Sequence, residues 1–382
     1  MPTVASTRLE AFDMVRMQYA YERKVDYDLS GSGIPSMRLS ELIGTRDAAE
    51  DVFEVPQGYP PVGGSTPLRS AIAALYKGAS SDNIMVTNGA TEANFVAAWR
   101  LLEKGDELVA IVPSYMQTWN LARSWGVETK PLPLREDMGW QFDPEAIKAS
   151  VTRKTKAIQI CNPNNPTGAV LAIEQRKALV DAARDAGSWI LSDEVYAGAE
   201  REGPRTESLW GNYERVLSTN GLCKAYALPG LRIGWLVGEE EILREIAPYR
   251  DYLTLTHAEP CDAIAKFVLE PERRERILAQ NRAIIQKCYG HLTEWIRANE
   301  PAFSHLPPKA GPMCFIRHSS KASSLEVAER LRKEKSVLVV PGSQMGMDGY
   351  LRIGIGLPKE YLHTALDRLN ELLNRINAAG SP

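Results

Sequence analysis

The sequence predicts an α/β fold with a large domain, whose mostly parallel sheet is covered by helices on both faces, and a smaller α+β domain. Between residues 84 and 237, short apolar runs alternate with amphipathic segments, which is typical of buried parallel strands joined by crossover helices. After about residue 240, long helical segments outnumber the strands. The length of 382 residues also exceeds what one hydrophobic core usually accommodates, so two domains are expected.

The large domain is expected to span residues 48–260. Its strands are predicted from continuous apolar runs, because a strand that is covered on both faces needs apolar side chains on both. Its first helix is predicted after a Gly- and Pro-rich loop, where Ser65 or Thr66 can cap the helix and Pro67 fits the first turn. The predicted strands are 84–87, 108–112, 157–160, 189–191, 215–218 and 233–237, and the predicted helices are 94–102, 118–125, 174–186 and 240–250.

The small domain is expected to combine residues 1–47 with residues 261–382. The N-terminal part, 7–24, has helical character, although its apolar residues do not define one face. The C-terminal part alternates amphipathic helices with a few short apolar strands, which is typical of an α+β lobe. Its predicted helices are 264–297, 324–334 and 359–377, and its predicted strands are 313–317, 337–340 and 350–353.

Composition and charge argue against several classes of partner. The formal net charge is −3, so no basic surplus favours nucleic acid or anionic lipid. No segment approaches the ~20 apolar residues that span a bilayer, and residues 1–28 lack the apolar run of a signal peptide. The five cysteines and five histidines show no CxxC or HxxxH spacing. We therefore expect a cytoplasmic protein with no metal site, no nucleic-acid partner and no membrane partner.

Polar and aromatic residues follow the predicted strands, at the edge where open parallel sheets bind ligands. After the first strand, Gly89, Ala90 and Thr91 lead into a helix whose free N–H groups and dipole can bind a phosphate. A helix that is simply capped by Thr91 is the alternative. After the second strand comes Tyr115, whose ring can stack on a flat ligand or pack in the core.

Three further strand ends carry an amide, a carboxylate and two cations. The turn 161–169 contains two X-Pro steps and can aim Asn165 as a hydrogen-bond donor. Asp193 follows an apolar strand and would be costly to bury unless it paired with a cation, such as a protonated ring nitrogen; capping a helix is its alternative role. Lys224 and Arg232 follow the fifth strand, in a connection that contains Gly and Pro.

Lys224 is central to the functional prediction. It lies between two apolar runs, and burial there would disfavour its charged form and make the amine a better nucleophile, as a Schiff-base lysine requires. Arg232 keeps its charge and offers a planar fork that suits a phosphate. Each strand end alone is compatible with an ordinary structural role. Together they predict a pocket for a phosphorylated aromatic aldehyde, pyridoxal phosphate.

Four motifs resemble those of class I/II aminotransferases, which are pyridoxal-phosphate-dependent enzymes of fold type I with an aspartate-aminotransferase-like fold. The motifs keep the family's order along nearly the whole chain, and they are more specific for cofactor and fold than for the reaction. They are Asn-Pro-Asn-Asn-Pro-Thr-Gly at 162–168, Ser-Asp-Glu-Val-Tyr at 192–196, Lys-Ala-Tyr-Ala-Leu-Pro-Gly-Leu-Arg-Ile-Gly-Trp at 224–235 and Tyr-Leu-Arg-Ile at 350–353.

The resemblance implies a role for each matching residue. It implies that Lys224, Asp193 and Tyr196 are catalytic, with Lys224 bound to the cofactor and Asp193 paired with the ring nitrogen. It further implies that Asn165 and Tyr196 contact the phenolic oxygen of the cofactor and that Tyr115 stacks on its ring. The phosphate would be held by Gly89, Ala90, Thr91 and Arg232, and the substrate by Gly33, Asn165 and Arg352. The resemblance also implies a homodimer in which Tyr59 reaches the phosphate in the neighbouring subunit.

This sequence departs from the family pattern at three places. Cys223 stands where the family often has a hydroxyl residue before the lysine. The residue among 218–220 that contacts the phosphate, Ser218, Thr219 or Asn220, stays open. The segment Ser30–Pro35 replaces a more common Gly-x-Pro-Asp, so that the way in which this segment handles the substrate stays open.

The reaction implied by the resemblance is transfer of an amino group between an L-amino acid and a 2-oxo acid. One alternative keeps the cofactor and eliminates a group from the β-carbon, as a C–S lyase or a capreomycidine-synthase-like enzyme does. The segment Ser30–Ile34 resembles the corresponding segment of capreomycidine-synthase-like enzymes. A second alternative is a non-catalytic ligand-sensing lobe, which the lack of a basic surplus disfavours. Side-chain specificity stays open, with Tyr226, Met345 and Trp119 as candidates to line the pocket.

Overall fold

A seven-stranded sheet forms the centre of the computed structural model, which describes residues 9–44, 50 and 52–379. A second sheet has four strands, and a third has two. The strands in chain order are β1 (Tyr27–Asp28), β2 (Ile84–Thr87), β3 (Glu107–Val112), β4 (Glu128–Pro133), β5 (Thr155–Cys161), β6 (Trp189–Asp193), β7 (Val216–Gly221), β8 (Gly234–Val237), β9 (Phe303–Ser304), β10 (Met313–His318), β11 (Val337–Leu338), β12 (Val340–Pro341) and β13 (Tyr350–Gly354).

The large sheet has the strand order β2-β8-β7-β6-β5-β3-β4. Every strand runs in the same direction except β8, which is antiparallel to both of its neighbours. A short connection without a crossover helix joins β7 to β8, and such a connection permits only an antiparallel return. The carboxyl ends of β2, β3, β5, β6 and β7 therefore lie at one edge of the sheet. The predicted fold class is confirmed, and the five predicted strand ends meet at that edge.

One strand of the large sheet was not predicted. β4 is the edge strand, and it carries charged residues and two prolines, Pro131 and Pro133. An edge strand is exposed along one side and tolerates residues that a central strand does not. Because the predictions relied on continuous apolar runs, they found the central strands and missed this one.

The predicted helices are present with two notable differences, and the helices at 39–43 and 144–150 were not predicted. The helix predicted at 94–102 begins earlier, at Ala90, and the helix predicted at 264–297 is two helices, because Pro271 starts a new one after an extended Glu270. The helices are α1 (Asp13–Tyr21), α2 (Leu39–Ile43), α3 (Thr66–Ala73), α4 (Ala90–Leu101), α5 (Gln117–Ser124), α6 (Pro144–Ser150), α7 (Ile173–Ala186), α8 (Glu240–Arg250), α9 (Glu259–Leu269), α10 (Pro271–Ala298), α11 (Ser324–Lys335) and α12 (Lys359–Ala379).

The N-terminal segment packs against the C-terminal part of the chain. β1 pairs with β11 in parallel, and the Leu29 N–H donates to the Leu338 carbonyl at 2.8 Å. The Gly354 N–H donates to the Leu29 carbonyl at 2.7 Å. Leu29 is fully buried in the apolar core that α10, α11 and α12 form over β10 and β13. These contacts place residues 27–34 beside the four-stranded sheet. The division into two domains stays a prediction, and of its two boundaries 47/48 lies outside the described residues, whereas 260/261 lies within them.

Gly354 allows segment 29–33 to lie directly on β13. A Cβ built at Gly354 would overlap the Gly31 carbonyl oxygen, which is backbone and cannot move independently. We expect Gly354→Ala to lower the free energy of unfolding by about 1–3 kcal/mol through overpacking. Urea denaturation measures this change. Gly290→Ala is the matched control, because Gly290 lies inside α10 with nothing within 4 Å of its Cβ position, and it should be stabilising by roughly 0.5–1 kcal/mol.

Within the described residues, no helix combines the length and the apolar character needed to cross a bilayer.

Candidate active site

A cavity of about 300 Å³ lies at the carboxyl edge of the large sheet. Its floor comes from the strand ends, and its cover comes from α1 and the segment that follows β1. The structure brings most of the predicted site residues together here, although they come from positions as far apart as 90 and 352. The predicted residues that line the cavity are Ala90, Thr91, Tyr115, Asn165, Asp193, Tyr196, Lys224, Arg232 and Arg352.

Lys224 lies three residues beyond the end of β7, in a turn closed by the Ala227 N–H donating to the Lys224 carbonyl at 3.1 Å. Its side chain enters the cavity, where Nζ donates to Ser32 Oγ at 3.0 Å. Burial of the amine lowers the pKa of Lys224, which increases the neutral, nucleophilic fraction. This is the direction that a covalently reacting lysine needs.

Asp193 is the last residue of β6, and its carboxylate is almost completely buried. Both of its hydrogen-bond donors are neutral: Asn94 Nδ2 lies 3.0 Å from Oδ2, and the Val195 N–H lies 3.2 Å from Oδ1. Burial raises the pKa of Asp193, although the bond from Asn94 opposes that effect. A buried carboxylate that is held by neutral donors favours a cationic group in the cavity beside it.

Asn94 was not predicted as a site residue. It lies on α4, one turn after Ala90, so both residues face the same side of that helix and both line the cavity. The helical spacing from the predicted phosphate residues was the signal that could have identified it. The expected start of α4 at residue 94 hid that spacing, because it placed Ala90 and Thr91 outside the helix.

Arg352 projects from β13 and is 1% exposed. Its Nη1 donates to Asn165 Oδ1 at 3.0 Å, and its Nη2 donates to the Ser30 carbonyl at 2.6 Å. Nε is buried and has no partner among the described residues. Tyr196 is equally buried, and its hydroxyl donates to the Ser32 carbonyl at 3.4 Å. Burial raises the pKa of Tyr196, which keeps the hydroxyl protonated. The guanidinium is thus fixed in position at the cavity wall.

The start of α4 has the features of an anion site. Gly89 precedes the helix with a φ of 89°. Because glycine has no side chain, the N-cap position cannot cap the first N–H groups of the helix. The alternative in which Thr91 caps this helix is therefore wrong. Arg232 lies directly over Gly89, in the space that a Cβ would fill, and its Nη2 donates to the Asn88 carbonyl at 3.4 Å. A guanidinium beside uncapped N–H groups and a helix dipole favours a phosphate.

Tyr115 lies between the cavity and α1. Its ring is 5.0 Å from that of Phe12, measured between centroids, at an interplanar angle of 57°. Burial raises the pKa of Tyr115 to about 12, so its hydroxyl stays protonated at neutral pH. One side of the ring is therefore supported by Phe12, which leaves an aromatic wall toward the cavity.

The structure does not bring every predicted residue into the cavity. Tyr59 is 86% exposed at the surface. Gly33 does not line the cavity, whereas Gly31 and Ser32 do, because the Gly33 carbonyl packs against Gly356 instead. Ser218, Thr219 and Asn220 also lie outside it, and Ser218 Oγ donates to Glu194 Oε1 at 3.0 Å.

The three candidates for side-chain specificity lie elsewhere. Tyr226 and Met345 are fully buried in apolar clusters, and Trp119 lines a separate surface groove with Glu10 and Gln344. The cavity is instead covered by Met14, Val15 and Gln18 of α1. No local pattern identifies these three residues, because the apolar residues of 7–24 do not define a single face.

Comparison with known proteins adds independent information. The family model described as aminotransferase class I and II matches residues 44–369. The chain is 30% identical to capreomycidine synthase of Streptomyces vinaceus, over 94% of this chain and 92% of that protein. It is 29% identical to aromatic-amino-acid aminotransferase 2 of Thermococcus litoralis, over 82% of this chain and 84% of that protein. The solved structure of a PLP-dependent aminotransferase from Streptococcus suis 89-1591 superposes with a TM-score of 0.88 and 31% identity, covering 97% of this chain and 99% of that one.

Proposed function

The chain belongs to the class I and II aminotransferase family, and on that premise we propose that it moves an amino group between an L-amino acid and a 2-oxo acid. The family implies pyridoxal phosphate as the cofactor. The observation that carries the cofactor chemistry of this proposal is the convergence of Lys224, Asp193 and Arg352 on one cavity, and the family supports the choice of amino-group transfer. The amine can attach an aldehyde, the carboxylate can pair with a pyridinium, and the guanidinium can bind a substrate carboxylate.

The residues present fit this cofactor. Among the described residues, the buried Asp193 carboxylate has only neutral donors, and a protonated ring nitrogen beside it would compensate its charge. The missing Cβ of Gly89 leaves room for Arg232 beside the uncapped start of α4, which suits the phosphate. Tyr115 offers an aromatic face to the ring between these two ends. The chemistry of the donor set therefore matches the three parts of the molecule.

Each residue has a separate task in the proposed reaction. When bound, pyridoxal phosphate supplies an electron sink for negative charge that develops at the substrate α-carbon. Asp193 stabilises positive charge at the ring nitrogen. Lys224 Nζ takes the proton from the α-carbon and holds it, and burial favours this task because it lowers the pKa of Lys224 and so increases the neutral fraction of the amine. Arg352 and the residues around it orient the substrate carboxylate.

The cover of the cavity separates its polar floor from bulk solvent, so that a bound cofactor and substrate would displace the remaining water. Met14 is buried, and together with Val15 it places apolar surface over the polar residues of the floor. Gln18 Nε2 donates to the Ser30 carbonyl at 2.8 Å, which ties α1 to the segment that carries Ser32. Exclusion of water strengthens the electrostatic interactions within the site.

Replacement of Arg352 tests the assignment of the carboxylate site. We expect Arg352→Lys to raise KM by roughly 10²-fold for every amino acid substrate, because all of them share the α-carboxylate. A lysine ammonium cannot make the two parallel hydrogen bonds to a carboxylate that a planar guanidinium makes. Steady-state kinetics with several substrates measures this. Arg317→Lys is the matched control, since Arg317 lies on the neighbouring strand β10 and contacts Tyr350 instead of the cavity. An increase confined to one substrate would contradict the assignment.

A second reaction is favoured by one specific observation. The relative that matches 94% of this chain is named a synthase, not an aminotransferase. An enzyme with the same floor residues could remove the α-proton and then release a group from the β-carbon, with or without ring closure. Lys224, Asp193 and Arg352 serve both reactions, so they do not distinguish them.

Product analysis distinguishes the two reactions. The purified protein is incubated with a panel of L-amino acids, including β-hydroxylated ones, with and without 2-oxoglutarate. Transamination yields sustained turnover only when the oxo acid is present, with one 2-oxo product formed per acceptor consumed. Elimination or cyclisation proceeds equally well without it. Equal turnover in both arms would reject the aminotransferase proposal in favour of the second reaction.

We further propose a homodimer in which Tyr59 contributes to the neighbouring site. Tyr59 is 86% exposed on the single chain, so its ring is accessible to a second subunit. Sedimentation equilibrium of the purified protein measures the oligomeric state, and a monomer at micromolar concentration would reject the proposal. A cytoplasmic location likewise stays a prediction.

A further inference from the structure

We propose that Ser32 is a positioning residue for Lys224, whose amine it orients and whose protonated form it stabilises. The proposal rests on the proposed function, because it assigns Lys224 the task of accepting a proton. Lys224 Nζ donates to Ser32 Oγ at 3.0 Å, across 192 residues of sequence. It is the one hydrogen bond that Nζ makes within the described residues, so Ser32 determines where the amine points.

The segment that carries Ser32 is held from several sides. Tyr196 bonds to the carbonyl of Ser32 itself, and Arg352 and Gln18 both donate to the carbonyl of Ser30. The Ser30 N–H in turn donates to Asp28 Oδ1 at 2.8 Å. The Ser32 hydroxyl is therefore presented to the cavity by a fixed backbone.

Gly354 and Gly356 let this backbone approach closely. A Cβ at Gly354 would overlap the Gly31 carbonyl oxygen, and a Cβ at Gly356 would overlap the Gly33 carbonyl oxygen. Two residues of the segment, one on each side of Ser32, thus lie against backbone that has no side chain. This close contact between the two backbones limits movement of Ser32 away from Lys224.

The hydrogen bond acts differently on the two forms of the amine. A neutral amine that donates one N–H to Ser32 Oγ keeps its lone pair free to accept a proton. Once protonated, the amine makes a charge-assisted bond to the same oxygen, which is roughly twice as strong. Ser32 therefore raises the basicity of Lys224 and offsets part of the effect of burial.

The other charged or titratable groups around Lys224 come from different elements. Arg352 from β13 and Arg232 from the turn before β8 disfavour a second positive charge, whereas Asp193 from β6 and the neighbouring Cys223 favour it. Tyr115 and Tyr196 also line the cavity, and both stay protonated. None of these groups replaces the Ser32 hydroxyl as the hydrogen-bond acceptor that Nζ contacts.

The test measures the basicity of Lys224 directly in the full chain without cofactor. The rate at which trinitrobenzenesulfonate modifies Lys224 is followed against pH, with peptide mass spectrometry to identify the site. In Ser32→Ala the midpoint of the pH–rate profile should move to lower pH by roughly one pH unit. Ser32→Thr keeps the hydroxyl and should restore the wild-type midpoint. Ser36→Ala, an exposed serine four residues on, should leave it unchanged.

The holoenzyme gives a second readout. Because Ser32 acts through Lys224 and not on the substrate, Ser32→Ala should lower kcat by roughly tenfold and leave KM unchanged. Should the alanine variant fail to fold by circular dichroism, Ser32→Cys replaces it, since a thiol has similar size and is a much weaker acceptor.

Two results would overturn the proposal. One is a midpoint of the pH–rate profile in Ser32→Ala that equals the wild-type value. The other is an equal shift in Ser32→Ala and Ser32→Thr, which would mean that packing and not the hydroxyl matters. Failure of the proposed function looks different: cofactor would not attach at Lys224, while the midpoint shift would still occur.

Discussion

Replacement of Lys224 by alanine is expected to abolish covalent attachment of the cofactor and to lower kcat by roughly 10⁴-fold or more. The variant loses both the nucleophilic amine and the group that accepts the α-proton, and within the described residues no other lysine lines the cavity. Attachment is measured by the absorbance of the cofactor at the boundary between the ultraviolet and the visible range. The spectrum is recorded on the purified protein after pyridoxal phosphate has been added and the excess removed. Steady-state kinetics measures turnover.

A surface lysine provides the control for this experiment. Lys154 is exposed and lies in the turn before β5, on the side of the sheet away from the cavity. Lys154→Ala should keep both the spectrum and the rate of the wild type. If Lys224→Ala also kept them, the covalent role of Lys224 would be refuted, and with it the reaction class that depends on this residue.

Replacement of Asp193 by asparagine has the second large effect. The change keeps the shape of the side chain and removes its charge, so that nothing at the end of β6 stabilises a positive ring nitrogen. We expect kcat to fall by roughly 10²–10³-fold, the size typical for loss of one buried electrostatic group at an active site. The dissociation constant for pyridoxal phosphate should also rise, which equilibrium dialysis measures.

The matched control is an aspartate that is exposed to solvent. Asp185 lies near the end of α7, and Asp185→Asn removes one negative charge without touching the cavity. Its kcat and cofactor affinity should equal those of the wild type. Wild-type kcat in Asp193→Asn would mean that the carboxylate has a structural role only, in its bonds with Asn94 and Val195.

Most of the central sheet could be predicted from apolar runs, because strands buried on both faces consist mostly of apolar residues. The prediction at Ile84–Thr87 agrees with β2 at both ends. It failed where burial is partial, as at the edge strand β4, and where a single residue interrupts a helical pattern, as Pro271 does between α9 and α10. Apolar periodicity continues across that proline, whereas the backbone hydrogen-bond ladder does not.

The floor of the site was predictable because it lies at strand ends. Asp193 and Lys224 follow buried strands, and a parallel sheet brings all such ends to one edge regardless of the loops between them. Its cover was not predictable in the same way. Gln18 and Ser32 reach the cavity only because the N-terminal segment crosses the carboxyl edge, and nothing in their local sequence indicates that path.

The fold class, the family and the residues that form the floor of the cavity can all be predicted from the amino-acid sequence. These depend on local patterns, since apolar runs specify buried strands and short motifs specify the turns that follow them. Three features become visible only in the folded chain: Asn94 hydrogen-bonds to Asp193, Ser32 and not Gly33 contacts Lys224, and α1 covers the cavity. Those contacts join residues as much as 192 positions apart, and their geometry depends on how the N-terminal segment packs on β13, which no local pattern encodes.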